Sequence, residues 1–284
     1  MPAVSVVMPV WNAQSFLCEA IESILDQRFR DFELIVIDDG SADRSLDIMY
    51  RYACSDRRLR IHSEHHRGVP ATLNFGCALA QGSFIARMDA DDIALPDRFA
   101  LQVAFLQDHA SVAVLGTQLE RIREDGSYID TTYVPLDHVE IAAHMQEYCC
   151  LHHPTVMLRA EALRSLGGYR VAFLAAEDHD LWLRAAERFE LANLADILLR
   201  YRIHTQAISF QKLEQQVISA LAAETSARLR RAGERDVFSG LSCIDRETLR
   251  GFGVSDAYVG HRIRKAEQWY RNRKIGVAEH FVLP

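Results

Sequence analysis

Short apolar runs and helical segments alternate over the first 110 residues, and this alternation restricts the fold more than any other feature. Residues 4–8 and 33–37 are nearly continuous apolar runs, which is typical of strands covered on both faces. Residues 15–27 repeat their apolar side chains at helical spacing, with Ser15 as a suitable N-cap. Further strands are predicted at 59–62 and 83–88, and further helices at 43–53, 70–80 and 96–109. This order predicts an α/β fold with a mostly parallel central sheet.

Polar motifs stand directly after three of the predicted strands. They are PVWN at 9–12, DDGS at 38–41 and DADD at 89–92. Ligands of open α/β sheets bind beyond the carboxyl ends of the strands. We therefore expect the three motifs to line one crevice, although DDGS alone is equally compatible with a simple strand-to-helix turn.

The pattern changes after residue 110. Strands are predicted at 112–116, 119–122 and 155–158, together with a hairpin that turns at 124–127 and returns over 128–134. A helix is predicted at 138–148, an amphipathic helix at 177–188 and a strand over 191–203. Because only helical patterns follow residue 210, we divide the chain into a domain at 1–205 and a helical C-terminal extension at 206–284.

Composition and charge argue against several classes of protein. A net charge of −7 does not suit a nucleic-acid-binding domain, which usually has a basic face. The six cysteines form no CxxC pair, so neither a disulfide framework nor a zinc ribbon is expected. No apolar run approaches the roughly 18 residues that cross a bilayer, and the first residues lack the basic segment of a signal peptide. We expect a soluble cytoplasmic protein, at most peripheral at the inner face of the membrane.

The DADD motif offers carboxylates from which a divalent-cation site can be built. In an extended segment Asp89 and Asp91 point to the same side, roughly 7 Å apart. Such a pair suits Mn²⁺ or Mg²⁺, with one carboxylate on the ion and the other on a ribose hydroxyl or a water. The alternative is that these acids end a strand before a helix that has Pro96 near its first turn. An EF-hand is excluded, because Ala94 and Ala100 occupy the positions that require glycine and glutamate.

A second group of acids begins the predicted helix at 177–188. Acids at a helix N-terminus interact favourably with the helix dipole, and this accounts for Asp180. Glu177 and Asp178 follow a loop of small residues that could approach a ligand closely. His204 closes the last predicted strand, where an imidazole either completes a Mn²⁺ site or has a structural role.

Other familiar sites leave no trace in the sequence. There is no GxGxxG after the first strand, no GxxxxGK[ST] and no GxSxG. His152 and His153 are adjacent and lack a second pair of ligands, which argues against zinc. The charge of a phosphate ligand would then have to be met by a metal ion.

Eight motifs in order resemble the inverting family 2 glycosyltransferases. They are PVWN, IDDGSADRS, GVPATLNFG, ARMDADDIALPDRF, HHPTVMLR, LGGYR, AEDHDLWLR and YRIH, spread over residues 4 to about 205. The resemblance implies a GT-A fold, a three-layer α/β/α sandwich, with a nucleotide-binding half at 1–110 and an acceptor-binding half at 111–205. It also implies a nucleotide-sugar donor, most often a UDP-sugar, a Mn²⁺ or Mg²⁺ cofactor, and a role in polysaccharide or glycoconjugate biosynthesis.

The resemblance further implies roles for individual residues. The nucleotide pocket would be lined by Pro9, Trp11, Asn12, Asp38, Asp39 and Arg67, with Asp39 on the uracil and Asp38 behind it. Asp91 would bind the metal, Asp89 would contact the ribose or share the ion, and His204 would complete the site. Asp178 would be the catalytic base, with Glu177 near the acceptor or donor sugar. Trp11 departs from the commoner tyrosine or phenylalanine, although stacking on a base survives the exchange.

These residues suit a single displacement. Asp178 would remove the proton of an acceptor hydroxyl, which attacks the anomeric carbon as the nucleoside diphosphate leaves. A sugar-1-phosphate nucleotidylyltransferase is the alternative enzyme, but its glycine-rich N-terminal loop is absent from residues 1–14. A non-catalytic nucleotide-sugar-binding module is the alternative outside enzymes, and the intact Glu177–Asp178 pair speaks against it.

The C-terminal extension has helical patterns at 211–232 and about 255–274. The second carries a basic cluster around two aromatic residues, made up of Arg262, Arg264, Lys265, Arg271, Arg273 and Lys274 with Trp269 and Tyr270. A solvated helix face is the simplest interpretation of this cluster. A more specific hypothesis is peripheral contact with an anionic membrane, which would suit a saccharide acceptor linked to lipid, and a homodimer contact is a third alternative.

Overall fold

The computed structural model describes residues 1–145, 148–207 and 211–274, with side chains as far as Gln268. The strands are β1 (Val4–Val10), β2 (Phe32–Asp39), β3 (Leu59–Glu64), β4 (Phe84–Arg87), β5 (Ile93–Ala94), β6 (Val112–Arg123), β7 (Tyr128–Thr132), β8 (Met157–Arg159) and β9 (Glu190–Ile203). The helices are α1 (Leu17–Leu25), α2 (Ser45–Ser55), α3 (Val69–Leu79), α4 (Arg98–Asp108), α5 (His138–His144), α6 (Ala160–Ser165), α7 (Glu177–Ala186), α8 (Leu213–Arg231), α9 (Arg246–Arg250) and α10 (Asp256–Lys274).

The first four strands form the parallel half of the sheet, in the order β3-β2-β1-β4. Successive side chains of a strand enter two different apolar cores. Val7 and Ile35 pack in one core, and Val6 and Leu34 pack in the other. Because helices cover both faces, these strands are apolar on both sides and the sheet is the middle of three layers. The predicted α/β/α architecture is confirmed.

The second half of the sheet contains most of the antiparallel pairs. β8 runs antiparallel to both β4 and β6, β7 forms a hairpin with β6, and β5 runs antiparallel to β9. β6 and β9 are parallel. Two antiparallel steps from β4 through β8 to β6 restore the direction of the chain, so β9 ends at the same edge as β1, β2 and β4.

One predicted break in a strand is wrong. The sequence indicates separate strands at 112–116 and 119–122, but β6 is continuous across them. The intervening Thr117 and Gln118 are polar yet buried. Gln118 accepts a hydrogen bond from the Val134 amide at 2.6 Å and donates to the Leu194 carbonyl at 3.0 Å. Neighbouring backbone thus satisfies a polar side chain that would otherwise favour a loop.

The pairing of β5 with β9 determines where the polar motifs meet. Ile93 lies opposite Arg200 in this short antiparallel ladder. The end of β9 therefore passes the DADD segment that joins β4 to β5. His204, the residue after β9, arrives beside the carboxylates of that segment.

The C-terminal extension is helical, as expected, and shares a core with the sheet domain. Val217, Leu221 and Phe238 belong to the same apolar cluster as Leu181 and Trp182 of α7. Along the described part of the chain, no helix combines the length and apolar character needed to cross a membrane.

The predicted basic surface of α10 needs one correction. Arg262 is buried, and its Nη2 lies 3.0 Å from a carboxylate oxygen of Glu224, so it is a core ion pair and not a surface cation. Arg264 is exposed. The side chains of Trp269, Tyr270, Arg271, Arg273 and Lys274 lie outside the described residues, so the proposed membrane contact stays a prediction.

Candidate active site

Three carboxylates meet in the segment between β4 and β5. One oxygen from each of Asp89, Asp91 and Asp92 lies within 4.8 Å of the others. His204 joins them, because its Nε2 lies 2.8 Å from Oδ2 of Asp91. Asp92 is buried, whereas Asp89 and Asp91 are partly exposed. The three residues predicted to hold a metal are therefore together, with Asp92 as a fourth polar group.

The donor set of this cluster fits a hard divalent cation. Burial raises the pKa of both Asp89 and Asp92, and neighbouring carboxylates raise it further. Oδ2 of Asp92 and Nδ1 of His204 have no hydrogen-bond partner among the described residues. A cation among these oxygens would offset their repulsion and favour the charged forms. An oxygen-rich set with one imidazole suits Mn²⁺ or Mg²⁺.

Arg202 of β9 holds the carboxylate segment in place. Its amide donates to Oδ1 of Asp92 at 2.8 Å, and its Nε donates to the main-chain oxygen of Asp91 at 2.9 Å. Its Nη1 donates to the Glu124 carbonyl at 2.8 Å, and its Nη2 makes an ion pair with Glu19. One buried side chain thus ties the DADD segment to α1 and to the β6–β7 turn.

Arg87 is the second arginine of the site and precedes the cluster on β4. It is 5% exposed and makes an ion pair with Asp89. Its charge also reaches the helix α7, where it lowers the pKa of Glu177 and Asp178 against the effect of burial. Arg87 and Arg202 are site residues that the sequence motifs do not predict. In the sequence they are marked only by their positions, since Arg87 lies just before the DADD motif and Arg202 lies two residues before His204.

Asp39 organises the predicted nucleotide edge at the end of β2. Its Oδ1 accepts a hydrogen bond from the Arg67 amide at 2.8 Å, and its Oδ2 accepts one from the Gly68 amide at 2.9 Å. Oδ2 also lies 2.9 Å from Nδ1 of His66. The guanidinium of Arg67 instead pairs with Glu64 at 2.7 Å. The buried carboxylate therefore braces the loop between β3 and α3.

Asp38 and Gly40 shape the turn that follows. Oδ1 of Asp38 accepts from the Ser41 amide at 3.1 Å, and its Oδ2 accepts from the Ser63 hydroxyl at 3.2 Å. Gly40 has a φ of +75°, and a Cβ there would lie 2.8 Å from the main-chain nitrogen of His66. Only glycine satisfies both conditions without displacing the loop.

The PVWN motif contacts the same turn. Asn12 has a φ of +50°, and its Oδ1 accepts a hydrogen bond from the Ala42 amide at 2.8 Å. Trp11 is 44% exposed, and its ring lies 5.0 Å from that of His66, tilted by 31°. Pro9 lies within β1, opposite Ile37 of β2. Trp11 is thus the member of the motif with an exposed aromatic face.

Glu177 and Asp178 occupy the first turn of α7. Oδ1 of Asp178 accepts from the His179 amide at 2.7 Å. A carboxylate oxygen of Glu177 lies 3.9 Å from Nδ1 of His153, and its Oε2 has no hydrogen-bond partner within the described ranges. The charge of Asp89 contributes to the pKa of both residues, which places this pair near the carboxylate cluster.

Burial raises the pKa of both members of this pair, and their neighbours make the two values differ. It raises the pKa of Glu177 to about 8, with a further increase from the charge of Asp178. It raises the pKa of Asp178 to about 6, against the opposing effects of the His179 amide and Arg87. At neutral pH Glu177 is therefore mostly protonated and Asp178 mostly ionised, so Asp178 is the member able to accept a proton.

Nearby polar residues have structural partners. Asp180 is fully buried and pairs with Arg170 and Arg184, so guanidinium groups, more than the helix dipole, account for its place in the helix. Nε2 of His153 lies 2.9 Å from the Tyr169 hydroxyl. This contact gives His153 a partner within the protein.

Known proteins resemble this chain over most of its length. The model of the family "Glycosyl transferase family 2" matches residues 5–167, more than half of the chain. A protein of Bacillus subtilis (strain 168) named "Putative glycosyltransferase EpsE" is 34% identical over 284 residues, which is 98% of both chains. The O-antigen biosynthesis glycosyltransferase WbnJ of Escherichia coli is 32% identical over 208 residues, covering 72% of this chain and 81% of that one.

Solved structures show the same fold at lower identity. TarS 1-349 of S. aureus in complex with UDP superposes with a TM-score of 0.64 at 19% identity, over 95% of this chain and 78% of that chain. The mannosyltransferase PcManGT of Pyrobaculum calidifontis, in complex with GDP-Man and Mn²⁺, has a TM-score of 0.63 at 17% identity, over 98% and 76%. From the family match, the identity to relatives of nearly equal length and this shared fold, the chain belongs to glycosyl transferase family 2.

Proposed function

We propose that this chain transfers a sugar from a nucleoside diphosphate sugar to a hydroxyl group of a saccharide or lipid-linked saccharide, with inversion at the anomeric carbon. UDP is the first candidate nucleotide, and polysaccharide or glycoconjugate synthesis is the proposed context. One observation carries the proposal: a cluster of three carboxylates and His204 lies near a second carboxylate pair in which Asp178 has the lower pKa.

Ligands of similar proteins support the choice of donor. TarS structures contain UDP or UDP-GlcNAc, and PcManGT contains GDP-Man with Mn²⁺. The name of WbnJ refers to O-antigen biosynthesis. In this chain the exposed ring of Trp11 would stack on the base, with Asp39 at the edge of the ring and Asn12 holding the turn beside it.

The carboxylate cluster provides the place for the diphosphate. Asp91 and His204 would hold the divalent ion, and Asp89 would either share it or contact the ribose. When bound, Mn²⁺ or Mg²⁺ supplies positive charge that stabilises the departing nucleoside diphosphate. Arg202 keeps Asp91 and Asp92 in position for this purpose through their main-chain and side-chain oxygens.

Asp178 is the proposed general base. It accepts the proton of the acceptor hydroxyl, whose oxygen attacks the anomeric carbon from the side opposite the leaving group. A single displacement of this kind inverts the configuration. Glu177, whose pKa is raised to about 8, would donate a hydrogen bond to a sugar.

A screen of nucleotide sugars tests the proposal. The protein is incubated with UDP-, GDP- and dTDP-sugars, with Mn²⁺ or with EDTA, and release of the free nucleotide is measured. We expect slow hydrolysis of a small number of donors, and this hydrolysis should stop with EDTA. NMR of a transfer product should show an inverted anomeric centre.

Other outcomes identify the alternatives. Binding of UDP with metal but no hydrolysis or transfer of any donor would indicate a binding module. Formation of a nucleotide sugar from a sugar 1-phosphate and a nucleoside triphosphate would indicate a nucleotidylyltransferase. Retention of the anomeric configuration would contradict the role given to Asp178.

A further inference from the structure

The helix that carries Asp178 begins in an unusual way. Its N-cap, Ala176, makes no capping hydrogen bond through a side chain. The preceding Ala175 has a φ of +61°, in the left-handed region that residues other than glycine rarely adopt. Such a conformation persists only where surrounding contacts hold it. The position of Asp178 therefore depends on what fixes the segment at 166–176.

Asp180 connects the first turn of α7 to that segment. It is fully buried, and its Oδ2 accepts from Nε of Arg184 at 3.0 Å and from Nε of Arg170 at 2.9 Å. Arg184 also donates to the carbonyls of Leu166 and Gly168, at 2.7 and 2.8 Å. The two arginines thus bind both the helix and the loop that leads into it.

Arg170 continues this connection into the C-terminal extension. Its Nη1 donates to Oδ2 of Asp236 at 2.8 Å, and its Nη2 donates to Oγ of Ser226 in α8 at 3.0 Å. Ser226 in turn donates to Oδ2 of Asp236 at 2.8 Å. Arg230 donates to the same oxygen at 2.8 Å and pairs with Glu187, just beyond the end of α7, at 2.8 Å. The extension therefore holds α7 near both of its ends.

The resulting network balances its charges. Three arginines, Arg170, Arg184 and Arg230, face three carboxylates, those of Asp180, Glu187 and Asp236. Apolar packing reinforces it, because the fully buried rings of Phe173 and Phe238 lie 6.3 Å apart. Removing the charge of Asp236 would leave three guanidinium groups facing two carboxylates, and would weaken the contacts of Arg170 and Arg230 with the extension.

We infer that the C-terminal extension positions the catalytic helix, and that Arg170, Ser226 and Asp236 transmit this effect to Asp178. The inference rests on the proposed function of Asp178. These three are positioning residues, since their contacts run through Asp180 and the loop. All of them lie beyond residue 167, where the match to the family model ends.

The test compares Asp236→Asn and Ser226→Ala with a control in the same extension. The control is Arg246→Gln, which removes an exposed ion pair with Glu214. Three quantities are measured: UDP affinity by calorimetry with Mn²⁺, kcat and KM for the donor, and amide hydrogen exchange over residues 171–180. Asp236→Glu serves as the conservative variant that keeps the charge.

We expect a selective loss of turnover. In Asp236→Asn, kcat falls about 10- to 100-fold, as a small displacement of a catalytic group does. UDP affinity stays within about twofold, because the nucleotide edge lies on β1, β2 and the loop after β3. Amide hydrogen exchange over residues 171–180 becomes faster in Asp236→Asn, and Ser226→Ala shows smaller changes in kcat and exchange of the same kind. Asp236→Glu recovers part of kcat, and Arg246→Gln matches the wild type in all three quantities.

The remaining outcomes separate this inference from the proposed function. The positioning role would be overturned if Asp236→Asn had the same kcat and the same amide exchange as the wild type. It would also be overturned if kcat and UDP affinity fell equally in this variant. If the wild type turns over no donor, the proposed function fails, and unchanged exchange in Asp236→Asn then overturns the positioning role. Should Asp236→Asn not fold, the split between kcat and UDP affinity in Ser226→Ala decides.

Discussion

At the scale of single residues, two adjacent acidic side chains on one helical turn differ in pKa. Both are desolvated, but the Asp178 carboxylate accepts the His179 amide, whereas one oxygen of Glu177 lacks a partner among the described residues. The hydrogen bond favours the ionised form of Asp178. Neighbouring residues of the same chemical type can thus take the roles of base and hydrogen-bond donor.

The first prediction concerns the base. Asp178→Asn removes the proton acceptor but keeps the shape, so transfer should fall at least about 100-fold while UDP binding is nearly unchanged. Single-turnover transfer and calorimetric UDP binding measure the two effects. Glu161→Gln is the control, since Glu161 is an exposed acid in the first turn of α6. Near-normal transfer in Asp178→Asn would remove Asp178 from the mechanism.

The second prediction is the pH dependence of transfer. Asp178 must be ionised, and its pKa is raised to about 6, so kcat should fall as pH decreases through about 6. Glu177 should be protonated, and its pKa is raised to about 8, so kcat should also fall above about 8. These apparent values belong to the coupled pair.

A pH profile of the wild type and of Glu177→Gln checks this bell shape. The variant should keep the acidic limb and lose the alkaline one. A rate that stays constant between pH 7 and 5 would contradict the assignment of the base.

At the scale of elements, the segment between β4 and β5 acquires its shape from β9. The Asp92 carboxylate accepts from the main-chain amide of Arg202, whereas the main-chain oxygen of Asp91 accepts from its guanidinium, which also reaches α1 and the β6–β7 turn. A guanidinium can serve several acceptors in fixed directions, whereas an ammonium cannot. The path of the main chain at Asp91 is therefore sensitive to this one side chain.

The third prediction follows from that geometry. Arg202→Lys keeps the charge and the main-chain amide bond to Asp92 but loses most of the guanidinium contacts with Asp91, Glu124 and Glu19, so Mn²⁺ affinity should fall about 10- to 100-fold, as for other residues that orient metal ligands. Titration of Mn²⁺ in the presence of UDP, followed by electron paramagnetic resonance, measures the affinity directly. Arg200→Lys is the matched control, because Arg200 lies on the same strand in a half-exposed pair with Glu120. Equal Mn²⁺ affinities in the two variants would refute the role of Arg202.

At the scale of the whole molecule, the C-terminal extension packs into one of the two cores that cover the sheet. Leu221 of α8 is 2% exposed and belongs to the same cluster as Val7 and Ile35 of the sheet. A shared core of this kind couples the unfolding of its parts. The molecule should then lose its sheet domain and its extension together.

The fourth prediction is a cooperative loss of stability. Leu221→Ala should reduce the free energy of unfolding by about 2–5 kcal/mol, the usual cost of a cavity in a core. Urea denaturation followed by far-UV circular dichroism and tryptophan fluorescence should give one coincident transition. Leu241→Ala, at a position that is 37% exposed, should change stability by less than about 0.5 kcal/mol. A separate early transition would show that the extension unfolds on its own.

Local patterns predicted the elements better than their ends. Ser15 was predicted as the N-cap of the first helix, but α1 begins at Leu17, and Phe16 is the cap residue without a side-chain hydrogen bond. The chain instead makes a turn in which the Phe16 amide donates to the Ala13 carbonyl. The polar side chains of Thr117 and Gln118 likewise favour a loop, and their local sequence does not indicate that they are buried within β6.

The sequence by itself determined the order of strands and helices, and with it the edge where PVWN, DDGS and DADD stand. Side-chain periodicity is a local property, and parallel strands present their carboxyl ends together. Only the tertiary structure decided that Arg202 and His204 reach Asp91, because more than 100 residues separate these partners. It also decided that the pKa of Glu177 lies above that of Asp178, since burial and neighbouring charge arise only when distant segments pack together.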